Sequence, residues 1–416
     1  MQTLDSIEVF ELVKECRTCL STDLQEIVNL GLHPLANSLL NSPGDEELVV
    51  PLVLIRCDSC TTIQLSVNVN PILMFQDYLW VTGTTQTARN HCKNLAKQIS
   101  EKLDKKEFSA LEIGSNDGTL LMELVANGAK EVIGVDPAKN LQPRHLTGPI
   151  RLIEGFFSDE LMETHKRQIP KVDLVVARNV LSHVPNLNDV MQGIDKIISD
   201  HGLIVIEFHE ASRILSELHY DSIYHEHTFY HSIRSIQAAL SQISFNVFDI
   251  SNSPISGGSF IIFASKDPRK PSAALLSRLE EERKLGVYEQ NSWIDFGFKV
   301  QEHLSKLREL LQNEKDSNWV AFGASARSST LLNSIGKISE VFSCIADNNE
   351  LKQGRYSPGL RIPINSPQKA IDAEVEKVFI CAFNFEAEIV KYLQENLNWT
   401  GEVVLPFPSM IRRYEI

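Results

Sequence analysis

The chain has 416 residues, of which 43% are hydrophobic and 23% charged, and its formal net charge is −14. This length predicts two or three domains, and the composition is typical of a soluble globular protein. The acidic balance argues against binding to nucleic acids or anionic membranes, because both need a basic surface. The N-terminal residues lack the basic start and apolar block of a signal peptide, and no apolar run approaches a membrane span. We therefore expect a cytoplasmic protein.

The first part of the chain contains two cysteine pairs, Cys16-Arg-Thr-Cys19 and Cys57-Asp-Ser-Cys60. Two residues between cysteines let both thiolates of a pair reach one tetrahedral zinc ion, and two pairs supply four ligands. Such a site has no open coordination position, so we predict a structural zinc, with short strands in residues 20–56. Four buried core cysteines are the alternative. A redox pair is disfavoured because neither pair opens a helix after a strand.

The middle of the chain alternates helical segments with short apolar strands, which are SALEIGS, EVIGVD, VDLVVARN and GLIVIEF. This alternation predicts an α/β fold with a doubly wound parallel sheet and helices on both faces. In such a sheet the carboxyl ends of the strands form the ligand crevice.

A ligand-binding turn is predicted in LEIGSNDGTL, residues 111–120, where Gly114 and Gly118 let the backbone approach a ligand closely. Asp136 ends the next strand, where a carboxylate can bind both hydroxyls of a ribose. A dinucleotide enzyme would favour GxGxxG, whereas this turn carries Asp117, which we expect to face the ligand. An acidic turn suits S-adenosylmethionine, which has a sulfonium, an ammonium and a ribose but no phosphate; a sheet without a ligand remains the alternative. The predicted cofactor contacts are Glu112, Gly114, Asn116, Asp117, Gly118, Asp136, Pro137, Phe156 and Asn179.

Histidines are concentrated in residues 222–232, SIYHEHTFYHS. Imidazole is both the commonest zinc ligand and the commonest general base near neutral pH, so a metal site, an acid–base site and a polar turn all remain open. His183 follows another strand end, and we expect it either beside the reacting methyl group or as the cap of the next helix.

The last part begins after KDPRKP with one or two predicted amphipathic helices, and a second strand–turn–helix unit follows at NWVAFGASARSSTLLNSIG. Two more buried strands are predicted in VFSCIAD and KVFICAF. The N–H groups at the start of this helix would suit a phosphate. The predicted substrate contacts are Gly323, Ser325, Arg327, Ser328, Lys352 and Arg355. A solvated loop with ordinary surface charge is the alternative.

Taken in order, these motifs resemble the three-domain C-methyltransferases of branched deoxysugar biosynthesis, which methylate nucleotide-linked 4-keto sugars. The resemblance covers nearly the whole chain. It rests on CRTC…LGLHPLANSLL…CDSCTTIQL, YLWVTGTT, LEIGSNDGTLL, VLSHVP, YHEHTFY, GASARSSTLLN and KQGRYSPGLRIPI. It implies a zinc-binding domain over residues 1–85, an S-adenosylmethionine domain over 86–265, and a helical linker with a Rossmann-like domain over 266–416. The nucleotide diphosphate of the substrate would lie between the second and third domains.

The resemblance also implies roles for the histidine-rich segment. His227 would remove a proton from the sugar carbon beside a ketone, and Glu226 would orient His227. Tyr224, His183 and Tyr78 would bind the sugar and stabilise the enolate. The metal hypothesis weakens accordingly, because the segment has no HExxH pattern.

Two segments depart from the family pattern, and two other functions stay open. Tyr78-Leu79-Trp80 and Thr82-Gly83-Thr84 stand where many members have Tyr-x-Tyr and Ser-Gly-Ser, and Ser256-Gly257-Gly258 lacks a histidine before the glycines. We expect these changes to affect the substrate more than the chemistry. The first alternative is an O- or N-methyltransferase acting on a sugar, a cyclitol or another small molecule. The second is a binding protein that kept the fold without turnover.

Overall fold

The structure is a computed structural model that describes residues 9–75, 81–141, 148–254, 259–372, 374–408 and 410–416. The elements of the N-terminal part are β1 (Phe10–Leu12), β2 (Leu24–Pro34), β3 (Val49–Cys57), β4 (Ile63–Leu65), β5 (Val67–Val69) and α1 (Ile72–Phe75). β2, β3 and β4 pair antiparallel in chain order, and β1 pairs with β5. β2 and most of β3 occupy the segment between the two cysteine pairs, as predicted.

The middle part is the doubly wound unit. Its helices are α2 (Gln86–Leu103), α3 (Thr119–Ala126), α4 (Asp159–His165), α5 (Leu187–Ile197), α6 (Ala211–Glu217) and α7 (Ile233–Ser241). Its strands are β6 (Phe108–Ile113), β7 (Ala129–Asp136), β8 (Ile150–Glu154), β9 (Val172–Arg178), β10 (Ile198–His209), β11 (Phe229–Tyr230), β12 (Asn246–Ser253) and β13 (Ser259–Ser265). Short 3-10 turns cover Thr82–Thr84, Lys139–Leu141 and Tyr220–Ser222.

The large sheet has the strand order β12-β13-β10-β9-β6-β7-β8. β10, β9, β6, β7 and β8 are parallel, and β13 and β12 add antiparallel at one edge. α2 and α3 contribute to the apolar core on one face, and α4, α5 and α7 contribute to the core on the other. Both faces are therefore covered, which explains why the parallel strands are apolar on both sides. The predicted fold class is confirmed.

The C-terminal part begins with two helices and continues as a second, smaller parallel sheet. Its helices are α8 (Ala273–Lys284), α9 (Gln290–Asn313), α10 (Ala326–Ile335), α11 (Pro367–Ala370) and α12 (Glu386–Glu395), with 3-10 turns at Lys337–Val341 and Phe383–Phe385. Its strands are β14 (Trp319–Phe322), β15 (Phe342–Ala346), β16 (Ile364–Asn365), β17 (Lys377–Ile380), β18 (Glu402–Leu405) and β19 (Arg412–Glu415). The strand order is β16-β15-β14-β17-β18-β19, and β19 alone of these six runs antiparallel.

Two features join the three parts. β11, which belongs to the histidine-rich segment, pairs with β4 of the N-terminal sheet and not with the large sheet, so that Phe229 lies opposite Gln64. α9 packs against β2, and Trp293 on this helix lies in an apolar core that extends from Leu54 to Phe322. No helix in the described ranges is both long and apolar enough to cross a membrane.

Candidate active site

The four cysteines of the two pairs come together as predicted. Their sulfur atoms lie within 4.8 Å of one another, with Cys16 and Cys60 at 3.5 Å and Cys19 and Cys57 at 3.6 Å. Zn–S bonds of about 2.3 Å in a tetrahedron place sulfurs about 3.8 Å apart, so the group fits zinc. Burial raises the pKa of Cys19 to about 11, and a bound cation is what would hold all four groups as thiolates.

The histidines at 225, 227 and 231 do not converge on one point. His225 Nε2 donates a hydrogen bond to the Pro51 carbonyl at 3.1 Å, and the His231 ring stacks on Phe229 with centroids 5.2 Å apart. His227 Nε2 meets the Tyr224 hydroxyl at 2.8 Å. Within the described ranges, only the four cysteines form a group that could hold a metal ion. The described residues of this segment therefore form no metal-binding group, and their acid–base role stays a prediction.

The turn after β6 is fixed by Asp136 at the end of β7. The Asp136 carboxylate accepts hydrogen bonds from Asn116 N at 2.7 Å and from Ala138 N at 2.8 Å. Gly114 and Gly118 have φ angles of 69° and 75°, in the left-handed region that favours glycine. Burial raises the pKa of Asp136. A half-buried carboxylate beside a tight backbone turn fits the ribose hydroxyls of S-adenosylmethionine.

Asp117 has a contact set different from the predicted one. Its Oδ1 accepts from both the backbone N–H and the hydroxyl of Thr119, at 3.2 and 2.7 Å, and its Oδ2 accepts from Gly83 N at 2.8 Å. A Cβ at Gly83 would lie 2.5 Å from Asp117 Oδ2, so only glycine permits this approach. The carboxylate thus ties the turn Thr82–Thr84 to the start of α3, and its contact with the ligand stays a prediction.

Glu112 is the last but one residue of β6, and one of its carboxylate oxygens, Oε2, has no hydrogen-bond partner within the described part of the chain. Burial raises the pKa of Glu112 to about 8, and the nearby Arg178 opposes this shift. Arg178 Nε lies 3.4 Å from the carboxylate of the buried Glu207. The Glu207 carboxylate also contacts His91 Nε2 at 3.0 Å and accepts a hydrogen bond from the Ser253 hydroxyl at 2.5 Å. Because Arg178 is shared with Glu207, the unpaired oxygen of Glu112 fits the ammonium group of the cofactor.

The remaining predicted cofactor residues lie along the same edge of the sheet. Phe156, which follows β8, is 40% exposed, as expected of an aromatic ring that is free to stack on a ligand. Pro137 follows Asp136 directly. Asn179 follows β9 with φ 51°, and its N–H bonds to the Glu207 carbonyl at 2.7 Å. The parallel register brings these strand ends to one edge, because parallel strands share their carboxyl side.

A short turn leads from Asn179 to the predicted acid–base groups. His183 Nδ1 donates to the Glu226 carbonyl at 2.7 Å, and the His183 ring lies 4.9 Å from the ring of His227. Burial lowers the pKa of His183, and it lowers that of His227 well below 6.5. The 2.8 Å contact with Tyr224 makes Nε2 the acceptor in the tautomer whose ring proton is on Nδ1. The structure therefore brings His183, Tyr224 and His227 together as predicted.

His183 is not the cap of the next helix, since Asn186 accepts from Asp189 N at the start of α5. Tyr78 lies outside the described residues, as do Leu79, Trp80 and the segment Ser256-Gly257-Gly258.

Glu226 does not contact the His227 side chain as expected. Its carboxylate accepts a hydrogen bond from Asn37 Nδ2 at 2.6 Å, across to the N-terminal part. Tyr224, not Glu226, is the side chain on His227 Nε2. Burial raises the pKa of Glu226 to about 7, and Asn37 opposes the shift. Sequence reasoning missed Asn37, and no local signal marks it.

Arg327 also has a partner that the sequence did not indicate. Its Nε and Nη2 donate to the two oxygens of Asp221 at 2.7 and 2.9 Å, and the Asp221 side chain is only 1% exposed. Thr330, one turn further along α10, donates to the Ile223 carbonyl at 2.9 Å. α10 therefore holds residues 221–223, directly before the acid–base groups. Two donor nitrogens of Arg327, Nε and Nη2, are bound to Asp221 and are not available to a phosphate.

The other predicted phosphate contacts are largely satisfied within the chain. Ser325 and Ser328 form a capping box in which each side chain accepts the other's backbone N–H at 3.2 Å. Lys352 Nζ donates to the Ala324 carbonyl at 2.6 Å and lies 3.7 Å from Asp347. Gly323, with φ 99°, supplies the tight turn. Arg355 is exposed, and its side chain has no partner among the described residues, so it is the remaining free cation of this set.

His209 is a further candidate that sequence reasoning missed. It ends β10, next to the end of β9, and is half-buried in the crevice region. Burial, together with the positive charges of Arg327 and Arg213, lowers its pKa to about 4. The available signal was its position directly after the strand GLIVIEF, since strand ends in a parallel sheet carry ligand contacts.

Known protein families match the three parts in the same order. A zinc binding domain matches residues 16–75, a methyltransferase domain matches 85–250, and a C-methyltransferase C-terminal domain matches 254–408. C-methyltransferase NovU of Streptomyces niveus is 28% identical over 409 residues, which are 97% of this chain and 97% of that protein. The family resemblance, the cofactor S-adenosylmethionine and the zinc predicted from the sequence are confirmed.

Solved structures of other methyltransferases align with less than half of the chain. Magnesium protoporphyrin IX methyltransferase from Synechocystis PCC 6803 is 14% identical with a TM-score of 0.34, covering 44% of this chain and 84% of its own. An S-adenosylmethionine-dependent methyltransferase from Clostridium acetobutylicum ATCC 824 is 13% identical with a TM-score of 0.33, covering 43% of this chain and 92% of its own. These TM-scores are too low to support conclusions about the site.

Proposed function

Because the chain belongs to the three-domain C-methyltransferases and depends on S-adenosylmethionine, we propose that it methylates a carbon of a nucleotide-linked 4-keto deoxysugar. S-adenosylmethionine supplies an electrophilic methyl group, and the protein has to turn an unreactive sugar carbon into a nucleophile. The observation that carries the proposal is the contact between His227 Nε2 and the Tyr224 hydroxyl, with His183 alongside.

In the proposed reaction His227 removes the proton. We assign the ring proton of His227 to Nδ1, so that the lone pair of Nε2 accepts the substrate proton. The C–H bond beside the ketone breaks, the proton passes to Nε2, and the electron pair spreads onto the ketone oxygen as an enolate. The sugar has to displace the Tyr224 hydroxyl from Nε2, and this hydroxyl then donates to the enolate oxygen.

The nucleotide half of the substrate needs positive groups on an acidic protein. Asp221 occupies Nε and Nη2 of Arg327 and leaves Nη1 without a partner within the described ranges. Arg355 is exposed, and its side chain has no partner within the described ranges. We place the diphosphate at these two groups, since guanidinium groups bind phosphate oxygens well.

The test of this function is methyl transfer in deuterated water with a panel of nucleotide-linked 4-keto sugars. Product should gain one methyl group, and recovered substrate should carry deuterium at the carbon beside the ketone. His227→Asn should lower both rates by about 10² to 10⁴ without changing cofactor affinity, because the base is lost. The matched control is His201→Asn, since His201 is an exposed surface histidine paired with Asp267.

Two results would contradict this function. Full exchange and transfer in His227→Asn would remove His227 from the role of base. Methylation of an oxygen or nitrogen without exchange at carbon would show an acceptor that needs no enolate.

A further inference from the structure

The loop after β2 carries a side chain of the N-terminal part into the candidate active site. Asn37 and Glu226 are 189 positions apart in the chain, yet Asn37 Nδ2 lies 2.6 Å from Glu226 Oε1. Glu226 is only 7% exposed, whereas Asn37 is exposed. The amide therefore lies on the solvent side of a buried carboxyl group. Within the described ranges no other side chain or backbone group bonds to this carboxylate.

The loop is held in place by the C-terminal part. Leu40 and Tyr356 exchange two backbone hydrogen bonds, of 3.0 and 2.8 Å. Ala36 and Leu39 line a small cleft together with residues at the start of α10, such as Ser325. Asn37 thus sits between two anchored neighbours, and its amide is fixed in a way that a free surface asparagine is not.

The backbone of Glu226 is fixed as well. His183 Nδ1 donates to the Glu226 carbonyl, and His225 Nε2 donates to Pro51 in β3. With both sides of residue 226 anchored, the position of the carboxyl group depends on its contact with Asn37, the one polar contact that this side chain makes within the described ranges.

Among the described residues, the Asn37 contact is the one interaction that favours the charged form of Glu226. The titratable neighbours are His183, His225 and His227, with Tyr224 on the same segment and His33 beside His225. Burial lowers the pKa of each of these imidazoles, so none is positively charged at neutral pH. The Asn37 N–H is therefore the group that favours the ionised carboxylate, because hydrogen bonds to charged acceptors are strong.

We propose that Asn37 is a positioning residue for methyl transfer, which fixes the Glu226 carboxyl group and stabilises its ionised form. This proposal rests on the proposed function, in which His227, the residue directly after Glu226, removes the proton. In this proposal the N-terminal part contributes a residue to the active site in addition to binding zinc.

The first test needs no sugar substrate. Glutamate labelled with ¹³C at the side-chain carboxyl is titrated by NMR in the full chain, and the Glu226 signal is assigned from its loss in Glu226→Gln. In Asn37→Ala the pKa of Glu226 should rise by about one unit, because a hydrogen bond to the charged form is lost. In Asn37→Asp it should rise further, since two carboxyl groups then share one site.

The matched control is Asn41→Ala, an exposed asparagine of the same loop whose side chain has no partner among the described residues. It should leave the Glu226 titration unchanged. Each variant is first shown to bind S-adenosylmethionine with wild-type affinity, so that a folding defect is recognised. An unchanged titration in both Asn37 variants would overturn the proposal.

The second test is the pH profile of methyl transfer. At pH 7 Asn37→Ala should lower kcat about tenfold. The part of the pH profile that depends on Glu226 is identified by its loss in Glu226→Gln, and in Asn37→Ala its midpoint should shift by the same amount as the pKa measured by NMR. A shifted titration with an unchanged rate profile would refute the role in the reaction. Failure of the wild type to methylate any keto sugar would count against the proposed function alone, because the titration does not use the sugar.

Discussion

Burial sets the charge of the individual residues at this site. His183 and His227 are kept neutral because desolvation lowers their pKa values, whereas the pKa of Glu226 is raised to about 7 by the same effect. A neutral imidazole is able to accept a proton, so His227 remains a competent base down to pH values below 6.5. Loss of activity on mild acidification is then expected from carboxyl groups and not from His227.

We predict that Glu112 gives cofactor binding a pH dependence. With a pKa of about 8, this carboxyl group is protonated at pH 7 before the cofactor binds. An ammonium group next to it favours the carboxylate, so binding should release a proton, and affinity for S-adenosylmethionine should rise with pH up to about 8. Calorimetry in two buffers of different ionisation enthalpy measures the proton release.

Glu112→Gln should bind the cofactor more weakly and without proton release. The control is Glu107→Gln. Glu107 is an exposed residue directly before β6, and its side chain forms an ion pair with Lys130. Equal proton release in Glu112→Gln and wild type would show that another group titrates.

At the scale of elements, the histidine-rich segment is held from two sides. α10 binds residues 221–223 through Arg327 and Thr330, and β4 pairs with β11 immediately after the acid–base groups. The segment is therefore a bridge between the two outer parts of the molecule. Its position relative to the cofactor strands is set by elements outside the large sheet.

Arg327→Ala tests this support. It leaves Asp221, whose side chain is 1% exposed, without its cation, and we expect a loss of about 3 kcal/mol in the free energy of unfolding. The loss should shrink as the pH falls, because the unpaired Asp221 becomes protonated. Thermal unfolding measures the stability, and hydrogen exchange should increase in residues 219–228.

The control for this variant is Arg283→Ala, because Arg283 makes an exposed ion pair with Glu280 that contributes little. Unchanged hydrogen exchange in residues 219–228 of Arg327→Ala would mean that α10 does not hold the segment.

At the scale of the whole molecule, the site is assembled from all three parts of the chain. The middle part supplies the cofactor turn and the histidines, the N-terminal part supplies Asn37, and the C-terminal part supplies Arg327. The N-terminal and C-terminal parts also share one apolar core, which contains Leu54 and Phe322. Zinc that stabilises the first part therefore also stabilises the acid–base segment.

Cys57→Ser tests this coupling. Cys57 ends β3, and the variant should lose its zinc and melt at a lower temperature. Methyl transfer should fall by at least about 100-fold because the segment beside β4 loses its support, while affinity for S-adenosylmethionine stays within about twofold because the large sheet is intact.

Metal content, cofactor titration and transfer rate are measured on the same sample. The control is Cys344→Ser, since Cys344 is a buried cysteine of β15 outside the zinc group. Retained zinc in Cys57→Ser would refute the four-cysteine site, and retained transfer without zinc would refute the coupling.

The sequence by itself determined the features that lie within short stretches. Two CxxC pairs predict the zinc, and the glycines near residue 114 with Asp136 predict the cofactor turn, because each signal spans one knuckle or one strand–helix–strand unit. The order of motifs predicted the three parts. These patterns can be recognised without knowing how the three parts pack against one another.

Only the tertiary structure decided which residues meet across the parts. Asn37 and Glu226 are 189 positions apart, and Arg327 and Asp221 are 106 positions apart. β11 joined β4 and not the strands of its own part. Such contacts depend on the docking of separately formed elements, and neither spacing nor periodicity encodes that docking. The partners of the acid–base groups therefore had to be read from the packed chain.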